Sequence, residues 1–350
     1  MRESKYKIQV ISSLSFLSQI NSISATTMAT EYSVDQEIDN FFAQTTADRT
    51  ACDDFAQARL GGHVNPVPIQ GTCSYTVYVG RNNEYVAQFR LASSKLDLYM
   101  TNLARTIYRN SAPNITYNEQ IGESTTTEAK QPLHVYIMTR IQGISYLEFI
   151  LKHSGQFSEN STEFSFWRRN YVIDIAKFFA RSWKNPQDVH KLYRNILQTK
   201  YKTALEKLLV SLPERFIPFI RASLDALPAI FSLPMVLTHQ DLGVCNVLVD
   251  EDSCNLVGVI DWAEAEIAPF GVNLHFHQRF ISKVHFENGW SRFDDYVACE
   301  AVFWNMFQTR VRGLGEDIIA VIKAARIVGL LLECGFIGRL GDMEDRVPIR

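Results

Sequence analysis

The hydrophobic pattern of the chain changes near residue 143. Before this point, runs with the alternation of strands surround one helical run. After it, most runs have the 3.6-residue spacing of helices, except for a strand-rich segment at 237–262. We therefore predict an α+β chain with a small antiparallel-sheet lobe followed by a mainly helical lobe.

The first lobe is predicted to span 33–139. Its strand-like runs lie at 69–79, 84–91 and 133–138, with helical runs at 33–59 and 95–109 and a polar loop at about 118–131. Residues 80–83 (Gly-Arg-Asn-Asn) have the composition of a hairpin turn between the first two strands. The second lobe is predicted to span 140–350, with helices at 145–151, 164–183, 189–216, 293–307 and 316–334.

Residues 1–32 are predicted to be a disordered extension. A basic start with Arg2, Lys5 and Lys7 precedes an apolar segment broken by serines, which loosely fits a mitochondrial targeting peptide. We favour an unstructured tail, or a start codon upstream of a true start at Met28, over this targeting interpretation. We expect a cytoplasmic protein, with mitochondrial targeting as the alternative.

Composition excludes several classes of protein. The 35 Lys and Arg against 38 Asp and Glu give a net charge of −3, which is not that of a nucleic-acid binder. No uncharged apolar stretch reaches the roughly 18 residues of a membrane span. The six cysteines form no C-x-x-C pair, so they are expected to be reduced thiols rather than zinc ligands. The oligomeric state is left open.

The segment 237–262 contains most of the candidate catalytic and metal-binding residues. Two short apolar runs flank a turn near residue 253, and a hairpin there would place Asn246 opposite Asp261. Asp241 lies five residues before Asn246, in the loop that precedes this hairpin. Mg²⁺ prefers oxygen ligands and usually takes one or two carboxylates together with substrate phosphates. Asn246 and Asp261 suit that site, which leaves Asp241 to accept a proton from a hydroxyl.

The sequence His239-Gln-Asp-Leu-Gly-Val-Cys-Asn246 resembles the catalytic loop of the aminoglycoside phosphotransferase and choline-kinase-like family, relatives of protein kinases. The segment 259–262 (Val-Ile-Asp-Trp) is similar to that family's metal-binding segment. Further similarity at 69–77, 86–90, 260–271 and 329–336 indicates a fungal subgroup. The resemblance covers roughly 35–338 and implies a two-lobed protein-kinase-like fold.

The resemblance also implies roles for individual residues. Asp241 would be the catalytic base, His239 would brace its loop, and Asn246 and Asp261 would bind Mg²⁺. ATP would be held by Gly71 and Ser74 over its phosphates and by the backbone of a hinge. The predicted hinge residues are Met138, Thr139, Arg140 and Ile141.

The chain departs from the kinase pattern in its first lobe. Gly71 stands alone, without a G-x-G-x-x-G loop. Where kinases have V-A-I-K, the strand at 86–90 reads Val-Ala-Gln-Phe-Arg, so Arg90 would replace the phosphate-binding lysine, or be a solvated arginine at a strand end. No Glu follows on the next helix to form an ion pair, and Asp97 is predicted to cap that helix.

Two residues near Asp261 are candidates for contact with the acceptor. Glu264 and Trp262 would line the substrate pocket, although acidic residues here can also be surface charges and aromatics are more often core. The resemblance implies that Glu266, like Glu264, could hold a cationic substrate, but we favour a surface charge or a local helix cap for it.

The sequence thus predicts a kinase that moves the γ-phosphate of ATP, with Mg²⁺, to a hydroxyl of a small molecule. The acceptor and the choice of ATP over GTP stay open. A pseudokinase that binds nucleotide or a protein partner is the alternative, because the Lys–Glu pair is missing. A metal-dependent hydrolase built on His239, Asp241 and Asp261 is a third hypothesis, although such sites usually need more histidines.

Overall fold

The computed structural model of the chain describes residues 32–123, 130–285, 289–337 and 347–348. Apart from Tyr32, the predicted N-terminal extension lies outside the described residues. The chain divides into two compact units, one from the described residues of Ala29–Gln142 and the other from those of Gly143–Arg350. The predicted fold class is confirmed, since the first unit holds an antiparallel sheet and the second is mainly helical.

The first unit is a five-stranded antiparallel sheet with three helices. Its helices are α1 (Val34–Phe42), α2 (Arg49–Leu60) and α3 (Leu98–Tyr108). Its strands are β1 (Asn65–Pro66), β2 (Ser74–Val79), β3 (Tyr85–Leu91), β4 (Ile115–Ile121) and β5 (Leu133–Thr139), in the spatial order β1-β2-β3-β5-β4. Alternate residues of the central strands, among them Tyr75 and Phe89, pack against α1 and α2 to form the core of this unit.

Two predictions for this unit are wrong. The predicted helix at 33–59 is two helices, because the Asp48 side chain accepts a hydrogen bond from the Ala51 amide at 2.8 Å and so begins a new helix. Strand β4 overlaps the predicted polar loop at 118–131. It pairs only with β5 and leaves most of its side chains in solvent, so it has no apolar pattern.

Other local predictions are confirmed. The Asp97 side chain caps α3 by accepting from the amides of Tyr99 and Met100. Residues 80–83 form the turn between β2 and β3, where Gly80 and Asn83 both adopt positive φ. Backbone conformations of this kind are the reason that glycine and asparagine favour such turns.

The second unit contains most of the helices. These are α4 (Tyr146–His153), α5 (Thr162–Trp183), α6 (Lys191–Ser211), α7 (Ile217–Ile230), α8 (Tyr296–Val311) and α9 (Glu316–Cys334). Its short strands are β6 (Ile144–Ser145), β7 (Met235–Thr238), β8 (Val247–Val249), β9 (Leu256–Val259), β10 (Glu266–Pro269), β11 (Ser282–His285), β12 (Gly289–Arg292), β13 (Phe336–Ile337) and β14 (Val347–Pro348). Helix α7 was not predicted from the sequence, although Pro218 in its first turn is a local signal for a helix start.

Buried helices position the short strands of the second unit. Helix α5 packs along α8, where Phe179 meets Phe303 and the Arg168 side chain donates to both carboxylate oxygens of Asp295. The Ser182 hydroxyl on α5 donates to the Leu237 carbonyl on β7. Strand β7 pairs with β10, and β8 pairs with β6 and β9. The loops 239–246 and 260–265 connect these strands.

None of the described helices is both long enough and apolar enough to cross a membrane.

Candidate active site

His239 anchors the loop that follows β7. The side chain is 1% exposed, and its Nε2 lies 2.8 Å from the Ile260 carbonyl oxygen, which can only accept. Nε2 therefore carries a hydrogen. The Asp241 amide donates to Nδ1 at 3.3 Å, so Nδ1 is the unprotonated nitrogen. Burial lowers the pKa of His239, which agrees with this neutral ring. The histidine holds the loop in place and is not available for proton transfer.

Asn246 contacts Asp241 directly. Its Nδ2 donates to the Asp241 carbonyl oxygen at 2.9 Å and to the Asp241 carboxylate Oδ2 at 3.0 Å. Turn hydrogen bonds from the Gly243 amide to the Asp241 carbonyl and from the Asn246 amide to the Gly243 carbonyl close the loop. Because the nitrogen end of the amide faces Asp241, its Oδ1 is the end left to serve as a ligand.

The hairpin that carries Asn246 is shifted by one residue from its predicted register. Val247 pairs with Val259, and the Ile260 amide donates to the Asn246 carbonyl at 2.9 Å, so Asn246 lies opposite Ile260 rather than Asp261. A bulge between Leu248 and Val249 moves the partner of Asn246 by one residue toward Asp261, since the pairing of Val249 with Leu256 would otherwise place Asn246 opposite Val259. Asp261 follows the paired positions in a left-handed conformation, with φ 58° and ψ 64°.

The donor set at the end of this hairpin suits Mg²⁺. An amide oxygen of Asn246 and a carboxylate of Asp261, one residue beyond the cross-strand partner of Asn246, are hard oxygen ligands of the kind this ion takes. Among the described residues, no group of three or more His, Cys, Asp and Glu side chains forms a metal site. The pair of Asn246 and Asp261 contains only one of these residue types, so it does not count as such a group.

Cys245, next to Asn246 in the loop, is not an activated nucleophile. Burial, with added repulsion from Asp241 and Glu148, raises the pKa of its thiol to about 12. It therefore remains protonated at neutral pH.

Two residues of the site were not predicted from the sequence. The Gln240 side chain donates to the Glu266 carboxylate at 2.7 Å and to the Thr238 hydroxyl at 2.8 Å. Glu266 is only partly exposed and begins β10, so its prediction as a surface charge or helix cap is wrong. No signal in the sequence identifies this contact, because the two residues are 26 positions apart and meet only through the pairing of β7 with β10.

The predicted substrate residues near Asp261 differ in exposure. Trp262 is 2% exposed, its indole nitrogen donates to the Val259 carbonyl, and its ring packs edge-on against His239. The structure therefore contradicts its prediction as a lining residue of the substrate pocket. Glu264 is partly exposed, and its role in binding an acceptor stays a prediction.

The predicted nucleotide residues of the first unit share one face of the sheet. Ser74 lies directly opposite Arg90 in the β2–β3 register. Gln88 connects them, because its Nε2 donates to the Ser74 hydroxyl at 3.3 Å and its Oε1 accepts from Arg90 Nη1 at 3.1 Å. Arg90 is 7% exposed and also donates to the Ser94 carbonyl, so it is not a solvated arginine. Gly71 forms a bridge to Ser74 and completes this group.

Part of the predicted hinge already forms hydrogen bonds within the sheet. Met138 and Thr139 belong to β5, which has neighbours on both sides, and the Thr139 amide donates to the Asn114 carbonyl. The Arg140 amide donates to the Glu84 carbonyl, and its guanidinium lies 3.8 Å above the Tyr78 ring. Ile141 is the first predicted hinge residue beyond these contacts.

Residues 120–283 match the phosphotransferase enzyme family, APH. The predicted family resemblance is confirmed. The matched segment contains the whole loop from His239 to Asn246 together with Asp261, and the family is one of phosphotransferases. The fungal subgroup stays a prediction. None of the curated proteins matches the chain.

Several solved structures are similar to the chain at low identity. A variant of aminoglycoside 2′-phosphotransferase-IIIa in its GDP complex is 14% identical, with a TM-score of 0.48 over 81% of this chain and 88% of that one. Macrolide 2′-phosphotransferase type I is 12% identical, with a TM-score of 0.46 over 83% and 92%. The aminoglycoside phosphotransferase APH(3″)-Id from Streptomyces rimosus, in complex with ADP and streptomycin, is 14% identical, with a TM-score of 0.44 over 81% and 99%.

Proposed function

We propose that the protein is an ATP- and Mg²⁺-dependent kinase that phosphorylates a hydroxyl group of a small molecule. The observation that carries the proposal is the double hydrogen bond from Asn246 to Asp241, in a loop held by a neutral His239. It fixes a carboxylate beside an amide whose oxygen is oriented away from it. The phosphotransferase family match over the same segment supports this assignment.

Asp241 would act as the base. Its carboxylate would accept the proton of the acceptor hydroxyl as that oxygen bonds to the γ-phosphorus of ATP. The bond from the γ-phosphorus to the oxygen bridging it to the β-phosphate would break, and ADP would leave with that oxygen. Asn246 and Asp261 would hold Mg²⁺, which neutralises phosphate charge when it is bound.

In the first unit, Arg90 and Ser74 would contact the nucleotide phosphates. Their position across one strand pair, joined through Gln88, supports a shared role. Arginine suits phosphate because its planar guanidinium can donate two parallel hydrogen bonds. Backbone beyond Arg140 would bind the adenine, since the preceding amides donate within the sheet.

The test is turnover of ATP with a panel of hydroxylated metabolites, for the native protein and Asp241→Asn. We expect ADP formation that depends on both the acceptor and Mg²⁺. The variant should lose at least about 100-fold in kcat, in line with the loss of a general base, and should still bind ATP. A variant with native turnover would contradict the role of Asp241.

The alternative of a pseudokinase rests on a specific observation. Helix α3 contains no acidic residue to pair with a phosphate-binding cation, and the Arg90 guanidinium donates to the Ser94 carbonyl and to the Gln88 side chain. Binding of Mg²⁺ and ATP without turnover of any acceptor would favour this alternative.

A further inference from the structure

Gln240, immediately before Asp241, has an unusual backbone conformation. Its φ of 61° lies in the left-handed region, which is strained for a residue with a side chain. Such a conformation persists only where surrounding contacts hold it. Because Gln240 and Asp241 share a peptide bond, whatever holds the Gln240 backbone also sets the direction in which the Asp241 side chain leaves the loop.

The Gln240 side chain is held by two acceptors on paired strands. Nε2 donates to Glu266 Oε1 at 2.7 Å and to Thr238 Oγ1 at 2.8 Å. Thr238 and Glu266 are direct partners in the β7–β10 ladder, and the Thr238 hydroxyl donates to the Glu266 carbonyl at 2.9 Å. The side-chain amide of Gln240 is thus held by two paired strands rather than by a loop.

Glu266 supplies the stronger of these two contacts. A hydrogen bond to a carboxylate is about twice as strong as one between neutral groups. The side chain is partly withdrawn from solvent, with Lys200, Tyr193 and Tyr201 as its charged and titratable neighbours. Its carboxylate is therefore better suited to hold Gln240 than to serve as a general surface charge.

We propose that Glu266 is a positioning residue for Asp241, acting through the side chain of Gln240. This inference rests on the proposed function, in which Asp241 takes the proton of the acceptor. Glu266 fixes the left-handed turn at Gln240, and that turn holds the Asp241 carboxylate at the angle from which Asn246 can bond it. In this proposal Glu266 acts only through Gln240 and needs no contact of its own with nucleotide or acceptor.

The first measurement is steady-state kinetics of the full chain with Glu266→Ala, Glu266→Gln and Gln240→Ala. Glu266→Ala and Gln240→Ala should each lower kcat by about 10- to 100-fold with KM for ATP and acceptor nearly unchanged, since misplacing a reacting group by about 1 Å costs that much. Glu266→Gln should keep kcat within about threefold, because its amide oxygen still accepts from Gln240. The double variant Gln240→Ala with Glu266→Ala should have a kcat no lower than that of the slower single variant.

Some kinetic outcomes would overturn the proposal. A raised KM for the acceptor with native kcat would make Glu266 a substrate contact. Equal damage from Glu266→Gln and Glu266→Ala would show that an oxygen acceptor at this position does not hold Gln240. Effects that simply add in the double variant would show that the two residues act separately. Glu214→Ala, the same change at an exposed position of the same unit, is the matched control.

A second measurement needs no substrate and separates this inference from the proposed function. Amide hydrogen exchange over 239–243 should be at least about 10-fold faster in Glu266→Ala and Gln240→Ala than in the native protein and Glu214→Ala. Unchanged exchange in the folded variants overturns the positioning role even if the protein is an active kinase. If the native protein turns over no acceptor, the proposed function fails, while exchange still decides whether Glu266 holds the loop. Should Glu266→Ala not fold, Gln240→Ala and Glu266→Gln carry both measurements.

Discussion

The Asn246 side-chain amide donates to Asp241 twice, to its backbone carbonyl at 2.9 Å and to its carboxylate at 3.0 Å. One residue thus both closes the loop and orients the proposed base. The Oδ1 atom of the same side chain could then bind a cation. This relationship separates two tasks of Asn246, and substitutions can test them one at a time.

Asn246→Asp should keep the oxygen ligand but replace the donor to Asp241 with a second carboxylate. Like charges a few ångströms apart raise the pKa of a carboxyl group, so the unprotonated base would be present only at higher pH. We expect the acid limb of the kcat–pH profile to shift to higher pH and kcat at pH 7 to fall by about 10-fold or more. Mg²⁺-dependent binding of ATP should persist.

Asn246→Ala is the comparison for that variant, because it removes both the donor and the oxygen ligand. It should weaken the Mg²⁺ dependence of ATP binding in titration calorimetry, where Asn246→Asp should not. An acid limb of Asn246→Asp that coincides with the native one would show that Asn246 does not set the ionisation of Asp241.

Arg90→Met should weaken ATP binding by about 10-fold or more, since it removes a charged donor to the phosphates. Arg90→Lys should recover part of the affinity, because a point charge cannot reproduce the guanidinium fork. Binding of ATP and of adenosine is measured in parallel, and adenosine affinity should not change.

Arg81→Met, at an exposed position in the β2–β3 turn, is the control for Arg90. Arg90 is buried and bonded to Ser94 and Gln88, so its substitutions also affect the sheet. Equal loss of affinity for ATP and adenosine would assign Arg90 to the sheet rather than to the phosphates.

His277→Phe should make the second unit more resistant to acid. The ring is buried against Phe303, and burial lowers its pKa to about 4, although the Glu300 carboxylate nearby opposes the shift and Arg326 adds to it. The folded protein therefore binds fewer protons than the unfolded chain between pH 6.5 and about 4. The free energy of unfolding should fall as pH decreases through this window, by up to about 1.4 kcal/mol per pH unit for this group.

The measurement is the free energy of urea unfolding at several values between pH 7 and pH 4.5. The slope against pH should be smaller for His277→Phe than for the native protein. The exposed His63 serves as the control, and His63→Phe should leave the slope unchanged. Equal slopes for His277→Phe and the native protein would mean that this histidine does not contribute to acid unfolding.

The sequence alone predicted the features that depend on residues close together in the chain. The turn at 80–83, the Asp97 helix cap and the His239–Asn246 loop each arise from side chains and backbone within a few positions of one another. Local hydrogen bonding and hydrophobic periodicity are strong enough there to be visible as patterns. Of these three segments, the family resemblance rested on the His239–Asn246 loop, together with the segment 259–262.

Only the tertiary structure decided the contacts between distant segments. It paired β7 with β10 and so joined Gln240 to Glu266, set the hairpin register through a bulge, and buried Trp262 against His239. It also revealed β4, whose polar edge position hides it from hydrophobic patterns. These features depend on which surfaces are buried together, and burial is a property of the folded chain that no local run of residues determines.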